Sequence, residues 1–105
     1  MKDLGIYVLS WNRPHFLVKT VASLKARIAE DDISADIHII DNGSDDETAE
    51  AIRGIDGVEK ILFEENRGIG GAYQDAVPAN VDELYKYILT SDHDVMYMEP
   101  LSTFI

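Results

Sequence analysis

A chain of 105 residues with a 46% hydrophobic share is long and apolar enough to fold as one small domain, which excludes a disordered polymer. It has no cysteine, so disulfides and thiolate metal sites are excluded, and no run approaches the roughly 20 apolar residues of a membrane span. The net charge of −11, from 20 acids and 9 bases, repels phosphate backbones and argues against general nucleic-acid binding, yet permits a small phosphorylated ligand bridged by a metal ion.

In chain order, residues 4–10 read as a buried strand. That run is too short and too polar at its end for a signal peptide, and the missing cysteine suits a reducing cytoplasm. Asn12 is placed to cap a helix with Pro14 in its first turn, and Leu17, Val21, Leu24 and Ile28 repeat at helical spacing. The acidic run Glu30-Asp31-Asp32 closes that helix as a solvated end. Residues 36–41 predict a second strand, and Asn42-Gly43 a turn. Ser44 and Glu47 match a capping box, which predicts a helix from about Asp45 to Arg53. Residues 58–63 predict a third strand, 68–79 a glycine-opened loop becoming helix, and 85–90 a fourth strand, followed by an apolar tail from Met96 to Ile105. Strands alternating with helices predict a mainly parallel sheet with right-handed crossovers, in one domain spanning 1–105.

In open α/β sheets the ligand lies beyond the carboxyl ends of the strands. Polar residues gather at all four predicted ends: Ser10-Trp11-Asn12-Arg13, Asp41-Asn42-Gly43-Ser44, Glu64-Glu65-Asn66-Arg67-Gly68 and Ser91-Asp92-His93-Asp94. Asp92 and Asp94, one residue apart, offer hard oxygens suited to magnesium or manganese; taken alone, such a pair is more often a solvated turn. Asp41 reads either as a turn-initiating residue or as a carboxylate for a base N–H or a ribose hydroxyl. Asn42-Gly43-Ser44 reads as structural, with Gly43 supplying positive φ. Arg67-Gly-x-Gly-Gly lacks the Lys-Ser/Thr of a P-loop, leaving Arg67 as a surface residue or as a contact to base or phosphate. Trp11 either stacks on a base or fills a core edge, with packing the safer expectation. His38 reads as structural, and Tyr73, Tyr85, Tyr87 and Tyr97 as packing residues.

The ordered blocks Val8–Pro14, Ile39–Thr48, Glu65–Ala72 and Thr90–Asp94 resemble family 2 glycosyltransferases of the GT-A fold over nearly the whole chain. The resemblance implies a three-layer α/β/α sandwich with sheet order 3-2-1-4. It implies that Leu9, Ser10 and Trp11 line a nucleotide-base pocket, that Asp41 binds the base and that Arg67 sits near base or phosphates. It further implies that Asp94 and Asp92 associate with a divalent metal, Mn²⁺ or Mg²⁺, with Asp92 nearer the ribose. The implied ligand is a nucleoside-diphosphate sugar, a UDP-sugar foremost, with transfer of the sugar to an acceptor. The chain stops 11 residues past Asp94, and only Glu99 follows as a carboxylate, so the acceptor half and the usual base are expected to be missing and the catalytic residue is unassigned. A nucleotide-sugar-binding module without turnover, or a remnant acting only in an oligomer, is the alternative expectation. The apolar tail predicts a homo-oligomer.

Overall fold

The structure, a computed structural model, describes residues 1–92. His93, Asp94, Glu99, Tyr97 and the apolar tail lie outside the described residues. The elements are β1 (Lys2–Ser10), α1 (Pro14–Asp31), β2 (Ala35–Asn42), α2 (Asp46–Arg53), β3 (Glu59–Phe63), α3 (Gly68–Ala76), α4 (Val81–Leu84) and β4 (Tyr85–Asp92). All pairings are parallel and the sheet order is β3-β2-β1-β4, as expected. The short α4 lies in a stretch for which the sequence pattern predicts no element, and β4 runs two residues further than expected, ending on Asp92.

Alternate residues of each strand face opposite sides of the sheet. Leu4, Ile6 and Val8 of β1 join Ile37 and Ile39 of β2 against Leu17, Val21 and Leu24 of α1 and Ile52 of α2. On the other face Tyr7, Leu9 and Ile40 pack with Ala72 of α3. Helices on both faces make the three-layer sandwich. They also explain why β1 is buried continuously from Leu4 to Ser10, as a central parallel strand requires.

Two predicted caps belong to neighbouring residues. Asn12 takes φ 52, a left-handed conformation that an N-cap does not use, and α1 is capped by Arg13 without a side-chain bond. Helix α2 is capped by Asp45, which accepts from Thr48 N at 2.8 Å, and not by Ser44. The two displaced residues serve each other's loops: Asn12 N donates to Ser44 Oγ at 2.9 Å, and Asp45 N donates to Asn12 Oδ1 at 2.8 Å. The loops after β1 and β2 are thereby laced together.

At the amino ends of the strands, Tyr85 is more than a packing residue. Its hydroxyl donates to Asp36 Oδ2 at 2.8 Å and lies 2.7 Å from His38 Nε2, while Lys2 Nζ donates to Asp36 Oδ1 at 2.6 Å. Burial opposes the ionised Asp36, but the Lys2 and Tyr85 hydrogen bonds win and hold its carboxyl below the ordinary range. Asp36 is therefore a carboxylate that takes the single Tyr85 proton, so the Tyr85 oxygen accepts from His38 Nε2–H. This chain ties β4 to β2 over β1, and Gly5 of β1 makes it possible. A Cβ on Gly5 would stand 2.5 to 2.8 Å from three carbons of the Tyr85 ring. Gly5→Ala is expected to cost about 1–3 kcal/mol of overpacking, read as a fall in Tm of at least about 4 °C.

Candidate functional site

The carboxyl ends of β1, β2 and β4 and the loop after β3 enclose a pocket of about 230 Å³ lined by Leu9, Ser10, Trp11, Asn42, Asn66, Gly68, Ile69 and Asp92. Four expected residues, Leu9, Ser10, Trp11 and Asp92, are thus brought together. Register accounts for Asp92: it pairs with Leu9, so both point to the α3 face of the sheet. Trp11 is 50% exposed at the pocket lip, which corrects the expectation that it fills a core edge. Ile69, 68% exposed, forms another apolar part of the lining.

Asp41 is placed elsewhere. It pairs with Ser10 and follows Ile39 at strand spacing, so its side chain faces α1 and α2, and it does not line the pocket. It is 1% exposed; burial raises its carboxyl pKa, against hydrogen bonds from the Ser44 side chain and backbone that lower it, and Asp45 adds to the rise. Its Oδ1 and Ser10 Oγ are buried without a partner among the described residues. A raised folded-state pKa means the fold holds the Asp41 proton more tightly than the unfolded chain does. The destabilisation from this group is therefore present at neutral pH and fades as pH falls through the folded value toward 3.8. Asp41→Asn is expected to raise Tm at pH 7, with the gap to the parent chain closing in melts taken at successively lower pH.

Asn42, which reads from the sequence as structural, is the β2 residue that reaches the pocket. It is also the anchor of the pocket wall. Its Oδ1 accepts from Arg67 N at 2.8 Å, and its Nδ2 donates to Gly68 O and to Asn66 Oδ1, each at 3.3 Å. Asn66 Oδ1 accepts in turn from Gly68 N at 2.8 Å. Gly43, at φ 75, lets the same loop press onto the end of β2: a Cβ there would fall inside contact distance of Asn66 N and the Glu65 carbonyl carbon. Arg67 does not line the pocket; its backbone N holds Asn42 in place. Its guanidinium pairs with Asp75 at 2.7 Å and lies 3.9 Å over the Phe63 ring. The sequence signal that would have singled out Asn42 is its period-two relation to Ile40, which is informative only once the pocket's face is known.

Among the described residues, no three His, Asp or Glu side chains group to hold a metal ion. Among the described residues, Asp92 is the one carboxylate lining this pocket. That is compatible with a magnesium-type site, where one or two protein carboxylates suffice and waters and phosphate oxygens complete the shell. The expected ligand Asp94 lies outside the described residues.

The family model described as Glycosyl transferase family 2 matches residues 6–101. No curated protein matches the chain. Among solved structures the chain is similar to S. aureus TarS 1–349, at a TM-score of 0.61 and 19% identity, over 90% of this chain and 28% of that one. At that identity the likeness speaks for the fold, and the chain spans little more than a quarter of the relative's length.

Proposed function

From a chain that belongs to glycosyl transferase family 2, we propose that the pocket at the strand carboxyl ends binds the nucleoside end of a nucleoside-diphosphate sugar, UDP-linked foremost. The observation that carries this reading is the convergence of Leu9, Ser10, Trp11 and Asp92 on one pocket. Its volume of about 230 Å³ is below that of a whole small-molecule site, roughly 300–1,000 Å³, and suits a base with part of its ribose. Trp11 offers a ring face for stacking, and Asn42, its amide engaged with Arg67, Gly68 and Asn66, fixes the wall beside it. Arg67 reaches phosphates by leaving Asp75, an exposed pair worth about 0–1 kcal/mol and so cheaply exchanged.

Asp92, with Asp94, would hold the cation together with the ligand's phosphates. Mn²⁺ or Mg²⁺ there supplies charge neutralisation to a departing nucleoside diphosphate. Transfer of the sugar also needs a general base and an acceptor surface. Asp92 is the only carboxylate of the described pocket, and it is assigned to the ribose and cation. The alternative reading is donor binding without turnover by this segment alone.

Calorimetry with UDP, with and without Mn²⁺, tests binding. Metal-dependent heat that Asp92→Asn weakens at least about tenfold is expected, and no heat under any condition overturns the reading. A sugar-nucleotide hydrolysis assay separates the two readings, since sustained turnover excludes the non-catalytic one.

Among the described residues, no helix is long and apolar enough to cross a membrane. A cytoplasmic location and a homo-oligomer complete the proposal. The second rests on Leu84, Tyr87 and Ile88, each at least 41% exposed on or beside β4. Light scattering at high concentration tests it, and a monomer excludes it.

A further inference from the structure

Asn12 directly follows Trp11, the aromatic residue at the pocket lip. Asn12 is of the type that caps helices, yet it leaves the start of α1 without a side-chain cap and turns to φ 52 instead. Asparagine enters that left-handed region more readily than most residues. With the chain so turned, Asn12 Oδ1 accepts from Asp45 N at 2.8 Å, and Asn12 N donates to Ser44 Oγ at 2.9 Å. The Ser44 hydroxyl is directed for this role. Its proton goes to the buried Asp41 carboxyl group, which leaves an oxygen lone pair for Asn12 N–H. Asp45 in turn caps α2 through Thr48 N, so the far end of the lacing is a helix start.

The N–H of Asn12 belongs to the planar peptide that follows Trp11, so the Ser44 bond fixes the plane of that peptide. On the other side of Trp11, Ser10 is held in the sheet in register with Asp41. Trp11 is therefore bracketed by the ladder before it and the lacing after it. Its ring is half exposed, so packing constrains only part of it and the bracket sets where it stands. We propose that Asn12 is a positioning residue for the pocket: by tying the Trp11–Asn12 peptide to the start of α2, it holds the Trp11 ring oriented for binding at the lip. Asn12 does not line the pocket and acts through Trp11. The consequence for affinity rests on the nucleotide reading above, whereas the ordering of Trp11 does not.

The test uses the full chain and three variants. Asn12→Gly accepts the same φ and removes the side-chain bond to Asp45 N. Ser44→Ala removes the acceptor of Asn12 N and adds no backbone freedom at residue 12. Asn12→Asp keeps the side-chain acceptor and tolerates the same φ. The first readout is the heteronuclear NOE of the Trp11 indole N–H without ligand, which reports fast motion of the ring. It is expected to fall in Asn12→Gly and in Ser44→Ala and to return to the parent value in Asn12→Asp. Calorimetry with UDP and Mn²⁺ should follow it, with Kd raised about two- to tenfold in the first two variants, the cost of ordering one side chain on binding. A merely structural role would lower Tm and leave the indole NOE at the parent value in Ser44→Ala; that result overturns the proposal. An NOE as low in Asn12→Asp as in Asn12→Gly overturns it as well. No UDP binding by the parent chain overturns the nucleotide reading alone, and the indole NOE still decides the role of Asn12.

Discussion

Gly43→Ala is expected to be among the most damaging single substitutions in this protein. Residue 43 sits at φ 75, where a side chain costs about 1–2 kcal/mol. The added methyl also meets the backbone of Glu65 and Asn66, which cannot swing aside as the end of a flexible side chain can. Overpacking of that kind costs about 1–3 kcal/mol more. A total of about 2–5 kcal/mol is a large part of the 5–15 kcal/mol that holds a typical domain together. Calorimetry should show Tm lower by about 10 °C or more. The alternative relaxation is local: the loop 64–68 lifts off β2, Tm falls little, and the pocket wall is lost. Either way the nucleotide binding proposed for this pocket should drop, and the ratio of the two effects tells which contact yields first.

Asn42→Ala acts on the same junction by a different route. It removes an acceptor from Arg67 N and a donor to Gly68 O. Leaving partly buried backbone groups unpaired costs about 1–3 kcal/mol each, so a loss of about 2–6 kcal/mol is expected. Amide exchange at Arg67 should accelerate with it. Asn42→Asp separates the two bonds: it keeps the acceptor for Arg67 N and deletes the donor to Gly68 O. Partial recovery of Tm with slow exchange at Arg67 is the expected pattern. Fast exchange in Asn42→Asp would mean that the Gly68 bond, rather than the Arg67 bond, holds the loop.

The fold was legible where hydrophobic pattern and strand spacing agree. Leu4–Ser10, Asp36–Asp41 and Leu17–Ile28 each bury what their pattern says they bury, and the parallel order 3-2-1-4 follows the family resemblance. The site was legible to the level of strand ends, not of side chains. A shift of one residue along a strand reverses the face, and adjacent polar residues such as Asp41 and Asn42 carry no pattern that says which of them faces the pocket. Register turns Asn42 to the pocket face and Asp41 to the opposite one. The caps were misplaced by one residue for a related reason. Asn12, Ser44 and Asp45 are all good cap formers, and the choice among them is made by long-range bonds between two loops. Tyr85 has no local sign of its hydrogen bonds, since its partners are separated from it by 47 and 49 residues.

The chain has one tryptophan, and it stands half in solvent at the lip of the pocket. Indole emission depends strongly on exposure and on stacking with a second π-system. Excitation at the red edge, where the five tyrosines absorb little, therefore isolates a single optical reporter. The protein thus carries its own unlabelled probe of occupancy, positioned to follow ligand arrival on the stopped-flow timescale.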